Sequence, residues 1–463
     1  MVTGRMRRLA AALLLMLPAA LTFGRGGYFA VARVRGAILA FLLLALAAAL
    51  TERPLPRSLA GRLALGGLAA LTVWTGLSLL WAPLGGPAFA DLERLALYTA
   101  ALAAGIALLR ETRFVEPVLL ATTVAAAVYG LADRLVPWLV SLQPLSSAGD
   151  RLAQPLTYWN AQGAMAAVGL ALAAGLAAEG RHARIAAACA PVLGLDLYLT
   201  LSRGAIGAAL AGLAIVVALV PTRRGLRAAA VVGGAAAVAS LAALALPRVQ
   251  DAGGSSGQGA AMIAVLAVLT AAAFLVAGGG DERRIELLRP LACGALAVLI
   301  VGTVLAVAQG GHEPIPAGSG RLASVQSNRS AYWRVAVDVF ADHPLNGVGS
   351  GSFRVEWLKR RPFAESVRDA HSLYIETLGE LGLVGAAILA ALIVGLAVAA
   401  VRAFRRVPVQ AAGAIAALSV FAVHAGLDWD WEMPAVSLVA LLCAGALLAW
   451  SEDPDVTASE RAG

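Results

Sequence analysis

The sequence predicts an all-α protein: a polytopic bundle of about 12–14 transmembrane helices with one long extracytoplasmic loop that contains short helices. Of its 463 residues 60% are hydrophobic, and the mean hydropathy is +0.80. A soluble chain of this size has no interior large enough for so much apolar surface, whereas a membrane protein exposes it to lipid. The apolar pattern also stops once, from about Gln309 to Arg368, and then resumes. That interruption predicts the long loop.

The spans are predicted from apolar runs that are long enough, or nearly so, to cross a hydrocarbon core of roughly 30 Å. There are fourteen such runs, centred near Leu15, Leu43, Leu71, Ala101, Ala125, Gly169, Leu193, Leu210, Ala237, Leu266, Val298, Leu389, Leu418 and Leu441. The first run follows Arg7 and Arg8 and is short enough for a secretory signal peptide. Because further spans follow at once, we interpret it as an uncleaved first helix.

The orientation is predicted from arginine, which supplies nearly all of the basic charge, since Lys359 is the only lysine. Arginine clusters fall on alternate loops, as cytoplasmic loops require. They lie at 5–8, 53–57, 110–113, 181–184, 223–227, 283–289 and 402–406. Both chain ends are therefore expected in the cytoplasm. Arg25, Arg33 and Arg35 break the alternation.

Four regions follow from this topology. They are N-terminal transmembrane helices (1–308), an extracytoplasmic loop (309–371), C-terminal transmembrane helices (372–450) and a polar cytoplasmic tail (451–463). The net charge of +8 does not indicate a nucleic-acid partner, because no basic stretch carries interleaved aromatic residues. Cys189, Cys293 and Cys443 each lie alone in an apolar run, which indicates neither a metal site nor a disulfide. No cofactor is predicted.

Arg203 follows a span in Ser202-Arg203-Gly204, with almost no linker before the next apolar run. It is either an anion clamp, because the guanidinium fork suits phosphate oxygens, or an arginine that snorkels at a helix hairpin. Asp196, two turns earlier, is a candidate for balancing its charge. In the loop, apolar spacing predicts a short amphipathic helix that carries Arg329 and Arg334. Those two arginines are either solvated or face a phosphate site.

The segment from His343 to Phe353 combines proline with repeated glycines, which predicts a tight irregular loop and permits a phosphate cradle. His371 starts the next helix, with Asp369 as a candidate N-cap. A helix N-terminus disfavours the imidazolium, so the ring is suited to accept a proton, although Asp369 acts in the opposite direction. A structural role is the alternative for both histidines.

Further polar residues are candidates for supporting this site. Glu376 and Glu380 lie one turn apart on the helix after His371, where they are placed to pair with loop arginines. His424 and Asp428 flank the last predicted outer turn, beside Trp429 and Trp431. Tryptophan is common at membrane interfaces, so an aromatic belt is the alternative there.

These residues, in this order, resemble the O-antigen ligase and O-antigen polymerase family of bacterial envelope glycosyltransferases. The similarity covers roughly Asn160 to Pro434. Its pieces are Trp159-Asn160, Ser202-Arg203-Gly204, Arg329 four residues before Trp333, the segment from His343 to Phe353, His371 with Tyr374, Glu380, Gly382 and Gly385, and the segment from His424 to Pro434. Ser372 stands where the family often has asparagine.

The resemblance implies a GT-C-like membrane enzyme that transfers a glycan from a polyprenyl-pyrophosphate carrier to a glycan, lipid or protein acceptor outside the bacterial cytoplasmic membrane. It implies that Arg203 and Arg329, with Arg334 nearby, bind the pyrophosphate. It further implies that His371 activates the acceptor, supported by Asp369, Tyr374, Glu380, His424 and Asp428. The reaction is expected to be inverting, because attack opposite the leaving group inverts the anomeric centre. It is also expected to be metal-independent, since no carboxylates of metal-ligand spacing cluster in the outer loops.

Two other classes of protein are consistent with these residues. A transporter of lipid-linked sugars would use the same arginines but would need no base at His371. A non-catalytic scaffold would tolerate loss of Arg203, Arg329 and His371 together. Within the enzyme class, a ligase, a polymerase and a protein glycosyltransferase share the donor and differ only in the acceptor, which no sequence feature identifies.

Overall fold

The computed structural model describes residues 2–52, 54–143, 145–278, 282–309, 318–323 and 327–452. These residues form helices and connecting turns, and their only β-type pairing is an isolated bridge between Thr222 and Arg284. The helices of the first half are α1 (Val2–Phe23), α2 (Ala30–Leu50), α3 (Leu59–Ser78), α4 (Gly85–Leu108), α5 (Val115–Leu135), α6 (Trp159–Glu179), α7 (Ala183–Ala188) and α8 (Ala190–Leu199). Those of the second half are α9 (Arg203–Leu219), α10 (Arg223–Leu244), α11 (Ser256–Ala277), α12 (Leu288–Gln309), α13 (Arg329–Asp342), α14 (Phe353–Arg360), α15 (Leu373–Arg406), α16 (Pro408–Ala425) and α17 (Pro434–Glu452).

The structure confirms the predicted fold class, because each of the fourteen predicted span centres lies in a helix. Within the described part of the chain, ten helices are long and apolar enough to cross a membrane: α1, α2, α3, α5, α6, α10, α11, α15, α16 and α17. Helix α9 and the described apolar part of α12 are shorter. The chain is therefore a polytopic helical membrane protein.

The core of the bundle is formed by α6 and α17, which are buried along their whole apolar windows. Neighbouring helices approach them closely because small residues line the crossings. A Cβ atom on Gly175 of α6, for example, would stand 2.7 Å from the backbone nitrogen of Gly413 in α16. Such close backbone approach is typical of helix packing in membranes. By contrast, α11 is only 17% buried, which suits a helix facing lipid.

The loops separate into two ends, which we call the long-loop end and the opposite end. At the long-loop end, Arg134 donates to the carbonyl oxygens of Asp150 (2.6 Å) and Gln250, and Arg368 donates to the Tyr28 hydroxyl (3.1 Å). These contacts join loops that the arginine pattern predicts to be outside. They also bring the α1–α2 turn to the same end.

The opposite end gathers arginine-rich loops. Arg7 pairs with Glu111 at 2.9 Å, and Arg110 lies 3.7 Å from Glu452. The Glu452 carboxylate, on the last residue of α17, also accepts from Ser58, the N-cap of α3. The remainder of the predicted tail, 453–463, lies outside the described residues.

Arg33, one of the three arginines that break the alternation, does not act as a topology signal. Its side chain is buried and donates twice to Glu93 Oε2, at 3.1 and 2.7 Å, and once to the Tyr28 carbonyl oxygen at 2.6 Å. Because the guanidinium charge is neutralised inside the bundle, its place near the long-loop end is consistent with the other arginines.

The described part of the long loop folds over the bundle on a small core of its own. Helix α13 buries Tyr332, Val335 and Val339, as its amphipathic spacing predicts, against Trp357 of α14. Tyr332 and Trp357 meet edge to face with ring centroids 5.0 Å apart. This core fixes α13 above the first turns of α15. Residues 310–317 and 324–326 of the predicted loop lie outside the described residues.

The glycine-rich segment after α13 is not a phosphate cradle, because protein atoms occupy its amide groups. Gly349 donates to the Glu380 carbonyl oxygen (2.8 Å), while Gly351 and Phe353 donate to the two oxygens of the Glu380 carboxylate (2.8 and 2.7 Å). Ser350 N donates to Ser78 Oγ at 3.1 Å. The glycines instead permit this close approach, since a Cβ on Gly349 would stand 2.6 Å from Ala82. The segment thus fastens the loop to α3, α4 and α15.

Candidate active site

The site is built at the start of α15, where Ser372 caps the helix. The Ser372 hydroxyl accepts from the Ile375 amide at 3.5 Å, which leaves Asp369 outside the cap. The prediction that Asp369 is the N-cap is therefore wrong. Serine and asparagine are both favourable capping residues, so Ser372 provides the local hydrogen bond that an asparagine would.

His371 precedes this cap in a left-handed backbone conformation, with φ of 57°. Residues other than glycine rarely adopt it, and such strain is often found at functional positions. Its Nδ1 atom lies 2.9 Å from the Asp369 carbonyl oxygen. A carbonyl oxygen only accepts, so Nδ1 carries a hydrogen, and Nε2 holds the lone pair whenever the ring is neutral. His371 is therefore oriented to accept a proton at Nε2.

Arg329, the first residue of α13, forms an ion pair with Asp428. Asp428 is fully buried and is held by two more donors, the Tyr158 hydroxyl and the Asn160 side-chain amide, each at 2.6 Å. Burial by itself would raise the pKa of Asp428, yet that pKa lies below its usual value. The Arg329 charge is the largest cause that opposes this rise. The Asp428 carboxylate is thus an ionised anchor for the guanidinium.

Aromatic rings surround this anchor. Tyr158 stacks on Trp429 with ring centroids 4.2 Å apart, and Trp429 in turn contacts Tyr28 at 5.6 Å. On the other side, the Tyr332 ring lies 5.2 Å from the His371 ring. Asp428 is fully buried among these groups, and the low dielectric constant around it strengthens its electrostatic interaction with Arg329.

His424 connects this anchor to the start of α9. Its Nδ1 atom contacts the buried Asp430 carboxylate, and its carbonyl oxygen accepts from the Asp428 amide at 2.9 Å. Its Nε2 atom faces Gly204, where a Cβ would stand 3.3 Å away. Arg203 therefore begins α9 at the same end of the bundle as Arg329, and Ser202 caps that helix.

The remaining predicted residues have other surroundings. Arg334 lies on the exposed side of α13. The Tyr374 hydroxyl donates to the Ala422 carbonyl oxygen at 2.6 Å and so joins α15 to α16. Glu380 holds the glycine-rich segment. Asp196 accepts from Gln162 at 2.9 Å, so its hydrogen-bond partner in the bundle is an amide.

Three residues of this network were not among the predicted site residues. Tyr158, Asn160 and Asp430 are polar side chains that contact Asp428 or His424. The signal for the first two was their place at the start of a span, where polar groups are costly unless they have a partner. Among the described residues, no group of three or more His, Cys, Asp or Glu side chains is arranged to hold a metal ion.

Residues 255–390 match the family model described as O-antigen ligase. The match includes Arg329, His371 and the glycine-rich segment. The match supports the assignment of this chain to the O-antigen ligase family. No curated protein matches this chain.

This family match agrees with the resemblance in the sequence and with the helical membrane architecture. It supports a membrane enzyme of the O-antigen ligase or polymerase type that transfers a glycosyl group. It also implies a lipid-linked glycan as the donor and a glycan or a lipid as the acceptor.

Proposed function

We propose that this protein transfers a glycan from a polyprenyl-pyrophosphate carrier to an acceptor hydroxyl or amine on the extracytoplasmic face of the bacterial cytoplasmic membrane. The observation that carries the proposal is the arrangement at the long-loop end. There, an arginine anchored on a buried carboxylate lies close to a histidine whose Nε2 atom is available for a proton. This arrangement supplies both an anion site and a base.

The donor pyrophosphate is assigned to Arg329 and Arg203. Asp428 binds Arg329 through Nη2, and the Arg329 side chain as a whole stays 23% exposed. The guanidinium therefore retains donors for phosphate oxygens. Arg203 stands at the N-terminal end of α9, where the helix dipole adds to the attraction for an anion. Arg334, exposed on the same helix as Arg329, is proposed as an outer contact to the donor.

In the proposed reaction, the acceptor oxygen or nitrogen attacks the anomeric carbon as its proton passes to His371 Nε2. The bond from that carbon to the pyrophosphate oxygen breaks, and the pyrophosphate leaves on its lipid. Its charge is stabilised by the arginines, so the reaction needs neither an acid for the leaving group nor a metal. Attack opposite the leaving group inverts the anomeric centre.

The proposed orientation rests on the arginine clusters, which gather at the opposite end of the bundle. Impermeant thiol reagents test it on intact cells that carry a variant without Cys189, Cys293 and Cys443. We expect an exposed Ser366→Cys in the long loop to react before the membrane is opened. Arg405→Cys, at the end of α15, should react only afterwards. The reverse pattern would overturn the orientation.

The activity is tested by reconstituting the purified protein in liposomes with a polyprenyl-pyrophosphate glycan and a panel of glycan, lipid and peptide acceptors. Mass spectrometry then identifies which acceptor gains sugar. A transporter would move the donor across the bilayer and leave every acceptor unmodified. Transmembrane movement of intact donor, without transfer to any acceptor, would contradict the proposal.

A further inference from the structure

The helix that follows His371 is interrupted at Gly382. That residue has φ of 66° and ψ of −164°, a backbone conformation that essentially only glycine adopts. Helix α15 therefore has two parts, which we call the first segment (373–381) and the membrane-spanning remainder (383–406). The break allows the first segment to take a direction of its own. His371 precedes that segment and is separated from it by the cap residue Ser372.

The glycine-rich segment pairs with the amides that the break sets free. In an unbroken helix, the amides of Leu383 and Val384 would donate to the carbonyl oxygens four residues earlier. Here Leu383 donates to the Pro344 carbonyl oxygen at 2.8 Å, and Val384 donates to that of Leu345 at 3.2 Å. Backbone groups freed by a helix break are costly in a membrane unless another part of the protein pairs with them. The glycine-rich segment therefore stabilises the break.

The same segment pairs with the carbonyl oxygens on the other side of the break. Val348 donates to the Gly379 carbonyl oxygen at 3.3 Å, and Gly349 donates to that of Glu380 at 2.8 Å. Glycine is needed for this approach, since a Cβ atom on Gly347 would stand 2.3 Å from the Glu380 carbonyl oxygen. The glycine-rich segment thus replaces helical hydrogen bonds on both sides of the break.

A side chain from α3 pairs with one more carbonyl oxygen at the break. Leu381, the last residue of the first segment, accepts from the indole Nε1 atom of Trp74 at 3.0 Å. Trp74 is half-buried, and its ring centroid lies 5.4 Å from that of Trp81. The neighbouring indole makes no such bond, because Trp81 Nε1 has no hydrogen-bond partner in the described part of the chain. Trp74 therefore holds the end of the first segment.

The first segment also lies against α13, the helix that begins with Arg329. A Cβ atom on Gly379 would stand 2.9 Å from the Ala336 carbonyl oxygen, so the two backbones are in close contact. The Tyr332 ring of α13 lies 5.2 Å from the His371 ring. The position of the base relative to the arginine of the proposed site therefore depends on how the first segment is held.

We propose that Trp74 and Gly382 are positioning residues for the transfer reaction. Gly382 breaks α15 so that the first segment can lie along α13, and Trp74, together with the glycine-rich segment, fixes it there. This arrangement holds His371 Nε2 next to the arginine that binds the donor, where the acceptor must lie. Misplacement of a reacting group by about 1 Å costs on the order of a hundredfold in rate. The inference rests on the proposed function.

Trp74→Phe tests the hydrogen bond, because it keeps an aromatic ring and removes the Nε1 donor. We expect the single-turnover rate of glycan transfer, measured per molecule of bound donor, to fall about threefold to tenfold, the range for one neutral hydrogen bond. The dissociation constant for the pyrophosphate donor should stay near its parental value. Trp81→Phe is the matched control, and it should transfer glycan at the parental rate because Trp81 Nε1 pairs with no described group.

Gly382→Ala tests the break itself. It should lower the same rate on the order of a hundredfold, because alanine rarely adopts this conformation and its Cβ would stand 2.3 Å from the Leu345 carbonyl oxygen. Donor affinity should again change little. The matched control is Gly66→Ala in α3, where a Cβ meets no atom within 4 Å, and its rate should be parental. If Gly382→Ala does not fold, the result for Trp74→Phe decides.

Hydrogen exchange of the purified protein without substrate separates this inference from the proposed function. The amides of the first segment should exchange faster in Trp74→Phe than in the parent, and at the parental rate in Trp81→Phe. A merely structural role for Trp74 would give faster exchange, or fewer donor sites, with a parental transfer rate per bound donor. That result would overturn the positioning role.

Parental exchange in Trp74→Phe would also overturn the positioning role, even where the parent transfers glycan. Conversely, a parent that modifies no acceptor but shows the expected difference in exchange would overturn the proposed function. Trp74 would then still hold the first segment, but not for the transfer of a glycan.

Discussion

Replacing His371 by alanine is expected to lower glycan transfer on the order of 100- to 10,000-fold, the usual cost of a lost general base. Donor binding should persist, because Arg329 and its anchor Asp428 do not need the imidazole for their contact. Single-turnover transfer, measured beside equilibrium binding of the pyrophosphate donor, separates the two effects. A stable His371→Ala protein that transfers glycan at the parental rate would exclude His371 as the base and favour a transporter.

Two further variants make the result specific. His371→Asn retains a residue type that tolerates positive φ, so it relieves the concern that alanine alters the strained backbone. It cannot accept a proton at neutral pH, so its transfer should be as slow as that of the alanine variant. His343→Ala is the matched histidine control. The His343 side chain is exposed at the end of α13, and its loss should leave transfer near the parental rate.

Replacing Arg329 by lysine is expected to weaken donor binding and transfer by about tenfold to hundredfold. That range corresponds to the loss of one or two charge-assisted hydrogen bonds, about 1.5–3 kcal/mol. The ammonium group keeps the charge but not the fork that contacts Asp428 and a phosphate together. Arg203→Lys should act in the same direction. Binding of a non-hydrolysable pyrophosphate donor to the purified variants measures the effect.

Arg361→Lys is the matched control for Arg329→Lys, since Arg361 also belongs to the long loop but donates to the Glu365 carbonyl oxygen and not to a buried carboxylate. Arg361 is exposed, so its replacement should cost less than threefold, which is about 0.6 kcal/mol. If Arg329→Lys and Arg203→Lys both bind donor like the parent, the two arginines support the structure alone. The assigned pyrophosphate site would then be wrong.

Asp428 shows which part of the site the sequence predicts and which part it leaves unspecified. The sequence predicts a supporting role for Asp428, which stands beside two tryptophans, with an aromatic belt as the alternative. The structure shows that Asp428 binds Arg329, 99 residues earlier, and Tyr158, 270 residues earlier. Partners so distant in the chain leave no periodic signal, because local patterns report only which face of an element is apolar.

Glu380 and Asp369 illustrate the same limit. Spacing placed Glu380 where an arginine partner was expected, but the carboxylate instead accepts two backbone amides of the glycine-rich segment. Asp369 was a plausible cap by residue type, but Ser372 caps α15 because the helix begins three residues later. Both differences arise because several acceptors compete for each amide, and backbone geometry decides which acceptor reaches it.

Composition and apolar runs predict the all-helical membrane architecture and the long polar loop, and short motifs predict the resemblance to the O-antigen ligase and polymerase family. Each depends on composition, on apolar runs of a fixed length or on short motifs, and bilayer thickness sets that length regardless of how the helices pack. The packing of the helices shows in addition that Asp428 anchors Arg329, that His371 bonds the Asp369 carbonyl oxygen through Nδ1, and that Glu380 holds the glycine-rich segment. These features form where polar and charged groups from distant parts of the chain meet. A buried charge needs a partner in an interior of low dielectric constant, but this requirement does not specify where in the sequence the partner lies.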